Sequence, residues 1–186
     1  MDTFVVVAGN IGAGKSTLVD LLSSKLGFTP FFEPVSDNPY LADFYADMGK
    51  WAFHSQLYYL TRRLLIHKEL LEASGSVIQD RCVYEDAEIF ARNLYLQGDI
   101  SSRDYTVYQD LYHILIALLP PPNLIIYLRT SVPILQKRIA LRGRDYESSI
   151  SADYLMRLNG LYEDWLSCFN QCPFLIIPSD NLNLIS

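Results

Sequence analysis

Thr3-Phe4-Val5-Val6-Val7-Ala8 runs directly into Gly9-Asn10-Ile11-Gly12-Ala13-Gly14-Lys15-Ser16-Thr17. The first six residues are an apolar, β-rich run and predict a buried strand. Residues 9–16 space glycine, glycine, lysine and serine as a phosphate-cradling loop does. Glycines let successive backbone N–H groups point into one concavity. A helix predicted from Lys15 to residue 26 would add the positive end of its dipole. Lys15 is then expected to reach β- and γ-phosphates, and the Ser16 hydroxyl to ligate Mg²⁺. The triphosphate-binding expectation covers Gly9, Asn10, Ile11, Gly12, Ala13, Gly14, Lys15, Ser16 and Thr17.

Outward from this loop, strands and helices alternate. Further strands are predicted at residues 28–32, 77–79, 124–128 and 174–177. Helices are predicted at 51–73, 85–96, 102–119, 133–141 and 152–169, with Ser101 as an N-cap. Asp37-Asn38-Pro39 is turn chemistry. The alternation implies five parallel strands covered by helices on both faces, a three-layer α/β fold. At 186 residues, half of them hydrophobic, one domain spanning 1–186 is expected.

The formal charge is −6, which argues against general nucleic-acid binding. Against that balance, Arg129, Lys137, Arg138, Arg142 and Arg144 follow one another with no acid between them. Such a run is either a solvated helix face or a site for an anion. Cys82, Cys168 and Cys172, with His54, His67 and His113, show no zinc-ligand spacing. No basic stretch precedes the first apolar run, and Pro120-Pro121-Pro122 breaks the longest one. Neither a signal peptide nor a membrane span is expected, and a cytoplasmic enzyme is the default.

A phosphate loop does not name the acceptor. A GTPase-type switch needs D-x-x-G and N-K-x-D segments, and neither string occurs. A small-molecule kinase needs a base near the acceptor hydroxyl and cations around the moving phosphoryl group. Glu33 follows the second strand, where strand ends border the ligand crevice of open α/β sheets, so it can take a hydroxyl proton. Asp80-Arg81 follows the third strand in the same way. Asp80 is expected near Mg²⁺, and Arg81 near the acceptor oxygen or Glu33. Arg138 and Arg142 are four apart on one helix face, and Arg144 follows the hinge residue Gly143. Three guanidiniums there can neutralise charge developing in a transition state.

Together, residues 9–17, Glu33-Pro34-Val35, Asp80-Arg81-Cys82 and Arg138-x-x-x-Arg142-Gly143-Arg144 resemble the deoxyribonucleoside kinase family. Asp37-Asn38-Pro39-Tyr40-Leu41 and Asp80-Arg81-Cys82-Val83-Tyr84-Glu85-Asp86 look most like its bacterial deoxyadenosine and deoxyadenosine/deoxycytidine kinases. The resemblance extends from the first strand to about residue 184. It implies a P-loop kinase fold with an arginine-bearing lid at about 142–150, an ATP donor with Mg²⁺, and a homodimer. It makes Glu33 the general base on the 5′-hydroxyl and Arg81 its steadying partner. Gln56, Arg63 and Asp86 would meet the base edge, Phe90 would stack on the base, and Tyr45 with Glu147 would hold the 3′-hydroxyl. Leu41 and Phe44 are expected beside them as substrate contacts. Arg138, Arg142 and Arg144 would be the lid arginines, with Arg142 also on ATP. Spacing agrees: Gln56 and Arg63 lie two helical turns apart, and Asp86 and Phe90 four residues apart.

The chain departs from the family at two places. Cys82 stands where the family has serine, and a thiol is a poor hydrogen-bond donor. Relatives usually continue into a final helix, so the resemblance leaves that helix absent or the chain shortened. Ser179-Asp180-Asn181 falls where the family often touches adenine. The expected activity is 5′-phosphorylation of a deoxyribonucleoside in nucleotide salvage, deoxyadenosine first and deoxycytidine also. Alternatives are a deoxyguanosine kinase, a nucleoside monophosphate kinase, or a nucleotide-binding regulatory module.

Overall fold

The computed structural model describes residues 2–32, 38–144, 147 and 149–182. Glu33 and Asp37, together with part of the expected lid, lie outside these residues. Five strands form one sheet: β1 (Phe4–Gly9), β2 (Thr29–Phe31), β3 (Val77–Asp80), β4 (Leu124–Arg129) and β5 (Phe174–Pro178). Their spatial order is β2-β3-β1-β4-β5, and every pairing is parallel. The helices are α1 (Lys15–Leu26), α2 (Leu41–Ala46), α3 (Met48–Glu72), α4 (Val83–Glu85), α5 (Arg92–Gln97), α6 (Ser102–Leu118), α7 (Val132–Arg142) and α8 (Ala152–Cys168).

Alternation along β1 sorts its side chains into two layers, as strand geometry requires. Phe4, Val6 and Ala8 pack with Leu60, Tyr108 and Leu158 of α3, α6 and α8. Val5 and Val7 pack with Leu18, Val19, Leu135 and Ile139 of α1 and α7. Val6 and Val7 have no solvent exposure, and burying such a side chain contributes roughly 1.5–3 kcal/mol. The strand that launches the glycine loop is therefore firmly anchored, with all six of its residues buried.

The strand boundaries lie within one or two residues of those expected. Ser101 caps α6 by accepting the Asp104 N–H at 3.1 Å. Three local features differ. The six-residue helix α2 was not anticipated, because it is short and its N-cap, Tyr40, makes no side-chain cap. α3 begins before residue 51, where Asp47 accepts the Lys50 N–H at 3.2 Å. The helix expected at 85–96 is α4 and α5 joined by a π-helical turn over Asp86–Ala91. Such wide turns favour functional positions.

Candidate active site

The strand order reverses direction around β1, which places a crevice at the carboxyl ends of β1, β3 and β4. The glycine loop opens this crevice. Gly14 caps α1 with φ 97°, and Gly12 holds φ 82°, both in the left-handed region. A Cβ on Gly12 would stand 3.0 Å from the Ile139 side chain and 3.1 Å from the Leu135 carbonyl oxygen. Lys15 curls over the loop, and its Nζ donates to the Asn10 carbonyl at 3.0 Å.

Not every loop residue faces the crevice. The Asn10 amide is used inside the protein. Its Nδ2 donates to the Leu155 carbonyl at 3.0 Å and to Asn159 Oδ1 at 2.8 Å, and its Oδ1 accepts from the Ile11 N–H. Asn10 and Ala13 are buried. Gly9 turns its N–H toward Glu85. Ile11, Gly12, Lys15 and Ser16 line a cleft of about 270 Å³. Gly12, Gly14, Lys15, Ser16 and Thr17 line a second, of about 600 Å³, shared with Lys137, Arg138 and Arg142 of α7 and with Asp180 and Leu182. Asp180 and Leu182 thus come beside the phosphate loop.

The first cleft gathers most of the remaining expected residues. Leu41, Phe44 and Tyr45 come from α2, Gln56 from α3, Asp80 and Arg81 from the end of β3, and Asp86 and Phe90 from the π turn. Glu147, Arg142 and Arg144 complete its lining. Arg63 stands behind Asp86. Its Nε donates to Asp86 Oδ2 at 2.8 Å and its Nη2 to Oδ1 at 3.2 Å. Its Nη1 reaches the carbonyl oxygens of Asp80 at 3.3 Å and Arg81 at 3.1 Å. Both partners of the pair are nearly fully buried, so Arg63 and Asp86 form one preset unit at the cleft wall.

Arg81 has φ 65° and is the one non-glycine residue with positive φ among the described residues. Such a backbone costs about 1–3 kcal/mol and persists where its surroundings hold it. Its N–H donates to the Val7 carbonyl at 3.0 Å, and Arg63 takes its own carbonyl. The side chain lies with its guanidinium carbon 4.2 Å from the Phe90 ring centroid. One face of Phe90 therefore carries a cation. The Ser16 hydroxyl donates to Asp80 Oδ2. Asp80 Oδ1 is buried with no hydrogen-bond partner among the described residues. A hydroxyl and a carboxylate oxygen paired beside a phosphate loop suit Mg²⁺, which takes few protein ligands and fills its shell with phosphate and water.

The basic run divides. Arg129 leaves it altogether, forming an exposed ion pair with Glu163 at 2.6 Å. Arg142 makes a bidentate pair with Glu147, with Nε to Oε2 at 3.0 Å and Nη2 to Oε1 at 2.7 Å, and Arg144 joins the same carboxylate at 3.4 Å. Arg138 points elsewhere, donating to the carbonyls of Ala13 at 3.1 Å and Ser179 at 2.6 Å. Two of the three expected lid arginines thus meet at Glu147, and the third ties α7 to the segment at 179. Cys82 is less weakly anchored than its thiol suggested. Its N–H donates to Glu85 Oε2 at 3.0 Å, and its Sγ lies 3.6 Å from the same oxygen. Burial pushes the thiol's pKa well above its ordinary value.

Some residues of the site escaped the sequence reading. Tyr59 lines the first cleft. Its spacing of three from Gln56 and four from Arg63 marks that helix face. Phe32 and Tyr154 also line it, and nothing local signals them. Glu85 closes a capping box with Cys82, a local role that gives no sign of its distant contacts.

A model of the family described as deoxynucleoside kinase matches residues 5–186. The chain is 38% identical over 187 residues to deoxyadenosine/deoxycytidine kinase of Bacillus subtilis, covering all of this chain and 86% of that one. It is 37% identical to deoxyguanosine kinase of Lactobacillus acidophilus, covering 99% and 84%. The structure of deoxyadenosine kinase from M. mycoides with the products dCMP and a flexible dCDP bound superposes with a TM-score of 0.88 at 34% identity, over 97% of this chain and 92% of that one. The same enzyme with bound dATP gives 0.86. Phosphate loop, buried Arg63–Asp86 pair, sheet order and these likenesses agree over the whole length: the chain belongs to the deoxynucleoside kinase family.

Proposed function

We propose that this kinase transfers the γ-phosphoryl group of ATP to the 5′-hydroxyl of deoxyadenosine, and also accepts deoxycytidine, in nucleotide salvage. The observation that carries the reading is Asp86, on the wall of the cleft that Lys15 and Ser16 also line and held from behind by Arg63 at 2.8 Å. A carboxylate there accepts from an exocyclic amino group, which adenine and cytosine both carry and thymine lacks. Gln56 supplies a further donor and acceptor. Phe90 offers a plate for the heterocycle, and Leu41, Phe44 and Tyr45 close the sugar side opposite Glu147. Arg81 steadies the acceptor hydroxyl, and Glu33 takes its proton. Lys15, Arg142 and Arg144 stabilise the phosphoryl group in flight, and Arg138 braces the donor side. Ser16 and Asp80 would hold Mg²⁺, which when bound neutralises charge on the β- and γ-phosphates.

A second reading has its own support, since deoxyguanosine kinases are among the relatives at 37% identity. A panel of the four deoxynucleosides with ATP separates them. Deoxyadenosine is expected to give the highest kcat/KM, with deoxycytidine next. Deoxyguanosine ahead of both selects the second reading, and thymidine ahead of both overturns the base assignment.

The kinase is further proposed to work as a cytoplasmic homodimer. Leu64, Leu65 and Leu71 on α3 and Val107, Ile114 and Leu118 on α6 are exposed, and an apolar face of this kind favours pairing about a two-fold axis. No helix among the described residues is long and apolar enough to cross a membrane. Light scattering at micromolar concentration is expected to give twice the chain mass, and a monomer overturns the dimer.

A further inference from the structure

We propose that Glu85 is a positioning residue for phosphoryl transfer, its buried carboxylate fixing the first residue of the phosphate loop against the turn that carries Asp80 and Arg81. The proposal rests on the reading of the cleft as a phosphoryl-transfer site. Glu85 has no solvent exposure. Its Oε1 accepts from the Gly9 N–H at 3.1 Å and from the Tyr162 hydroxyl at 2.7 Å. Its Oε2 accepts from the Cys82 N–H at 3.0 Å, with the Cys82 thiol at 3.6 Å. Three chain segments meet on one carboxylate: the end of β1, the turn after β3, and α8.

A capping glutamate would account for the Cys82 contact alone. It does not account for the Gly9 and Tyr162 contacts, made 76 and 77 residues away. The Tyr162 hydroxyl completes the bracket. It also lies 2.9 Å from the Gly9 carbonyl oxygen, and Arg81 Nη1 reaches it at 3.5 Å. Both the entry to the phosphate loop and the Arg81 guanidinium are thus referred to one point.

The chemistry requires a carboxylate. Each oxygen receives a backbone N–H, so both must accept, which an ionised carboxylate does and an amide cannot. Either orientation of a glutamine would set its NH₂ group against a backbone donor. Burial raises the pKa of the Glu85 carboxyl, while the charges of Arg81 and Lys15 and the bonds from Tyr162 and Gly9 pull it back. Two cations of the proposed transfer machinery therefore lie within electrostatic reach of it. A shift of the loop relative to Arg81 would misalign donor phosphate and acceptor hydroxyl. A displacement of about 1 Å can cost a hundredfold in rate.

The test uses the full chain, steady-state kinetics and thermal melting. Glu85→Gln is expected to lower kcat roughly tenfold to a hundredfold while the nucleoside KM changes little. Tyr162→Phe should lower kcat less, and the double variant should be no slower than Glu85→Gln alone, as for two members of one bracket. Leu70→Ala, a core change remote from the cleft, supplies a variant of lowered melting temperature and is expected to keep kcat. Equal loss of kcat in Leu70→Ala, normal kcat in Glu85→Gln, or additive losses in the double variant would overturn the proposal. If Glu85→Gln does not fold, an unchanged kcat in Tyr162→Phe overturns it instead. Failure of the unaltered chain to phosphorylate any deoxynucleoside would instead refute the underlying reading of the site.

Discussion

Arg63 holds the Asp86 carboxylate at 2.8 Å and the Arg81 carbonyl oxygen at 3.1 Å with one guanidinium. The wall proposed to read the base and the turn proposed to hold the acceptor hydroxyl are therefore mechanically one piece. Asp86→Ala would take a two-oxygen carboxylate away from a buried guanidinium, a change that costs on the order of 3 kcal/mol. It is also expected to raise the nucleoside KM more than the ATP KM, and to lower kcat because Arg63 loses its orientation. Urea unfolding and two-substrate kinetics check both parts. Unchanged stability would show that the pair is not the anchor its geometry implies.

Glu33 tests the proposed chemistry directly. Glu33→Gln keeps the size of the side chain and removes the base. Turnover should fall by about two to four orders of magnitude while ATP still binds by calorimetry. Near-normal turnover would remove Glu33 from that role.

The orphaned Oδ1 of Asp80 carries a prediction about the metal. Asp80→Asn retains the size of the group and loses its charge, so half-maximal activity should need about tenfold more Mg²⁺. A Mg²⁺ titration at saturating ATP and nucleoside reads this. The same titration curve for both proteins would place the metal elsewhere.

His67 makes stability depend on pH. It is buried against the edge of Phe4 at 5.6 Å between ring centroids, and its Nε2 has no partner among the described residues. Burial first, then the charge of Arg63, lowers its pKa below the ordinary 6.5. The unfolded chain thus binds the proton more readily than the folded one. The neutral imidazole's contribution is full above pH 6.5 and is lost as pH falls below it. The raised pKa of Glu85 acts in the opposite sense at lower pH, but it is common to a His67→Phe variant and cancels in the comparison. The melting temperature of the unaltered chain should fall more steeply from pH 7 to pH 5 than that of His67→Phe. Parallel curves would contradict the assignment.

The five strands and the phosphate loop were legible because their signals are local. A β-rich run before a glycine motif, and glycine or serine after a helical pattern, depend only on neighbours in the chain. The cleft residues Gln56, Asp86 and Phe90 were legible through helix spacing joined to the family resemblance. What stayed hidden depends on distance in sequence. Arg138 shares a helix face with Arg142, yet its long side chain ends on the Ser179 carbonyl. Glu85 reads locally as a cap, and only the fold reveals Gly9 and Tyr162 as its partners. Arg129 sits in a basic run, but Glu163 of α8 claims it.

The wide turn at Asp86–Ala91 has an evolutionary corollary. A wide turn takes up one residue more than an α-helical turn while leaving the helices on either side in line, so losing a single residue there would restore ordinary winding without turning α4 away from α5. What changes lies inside the turn, where the step from Asp86 to Phe90 would shorten by one residue. Insertions and deletions should therefore be purged from this stretch even where substitutions are accepted, and drift in substrate choice within such a lineage would proceed by exchanging side chains at constant length.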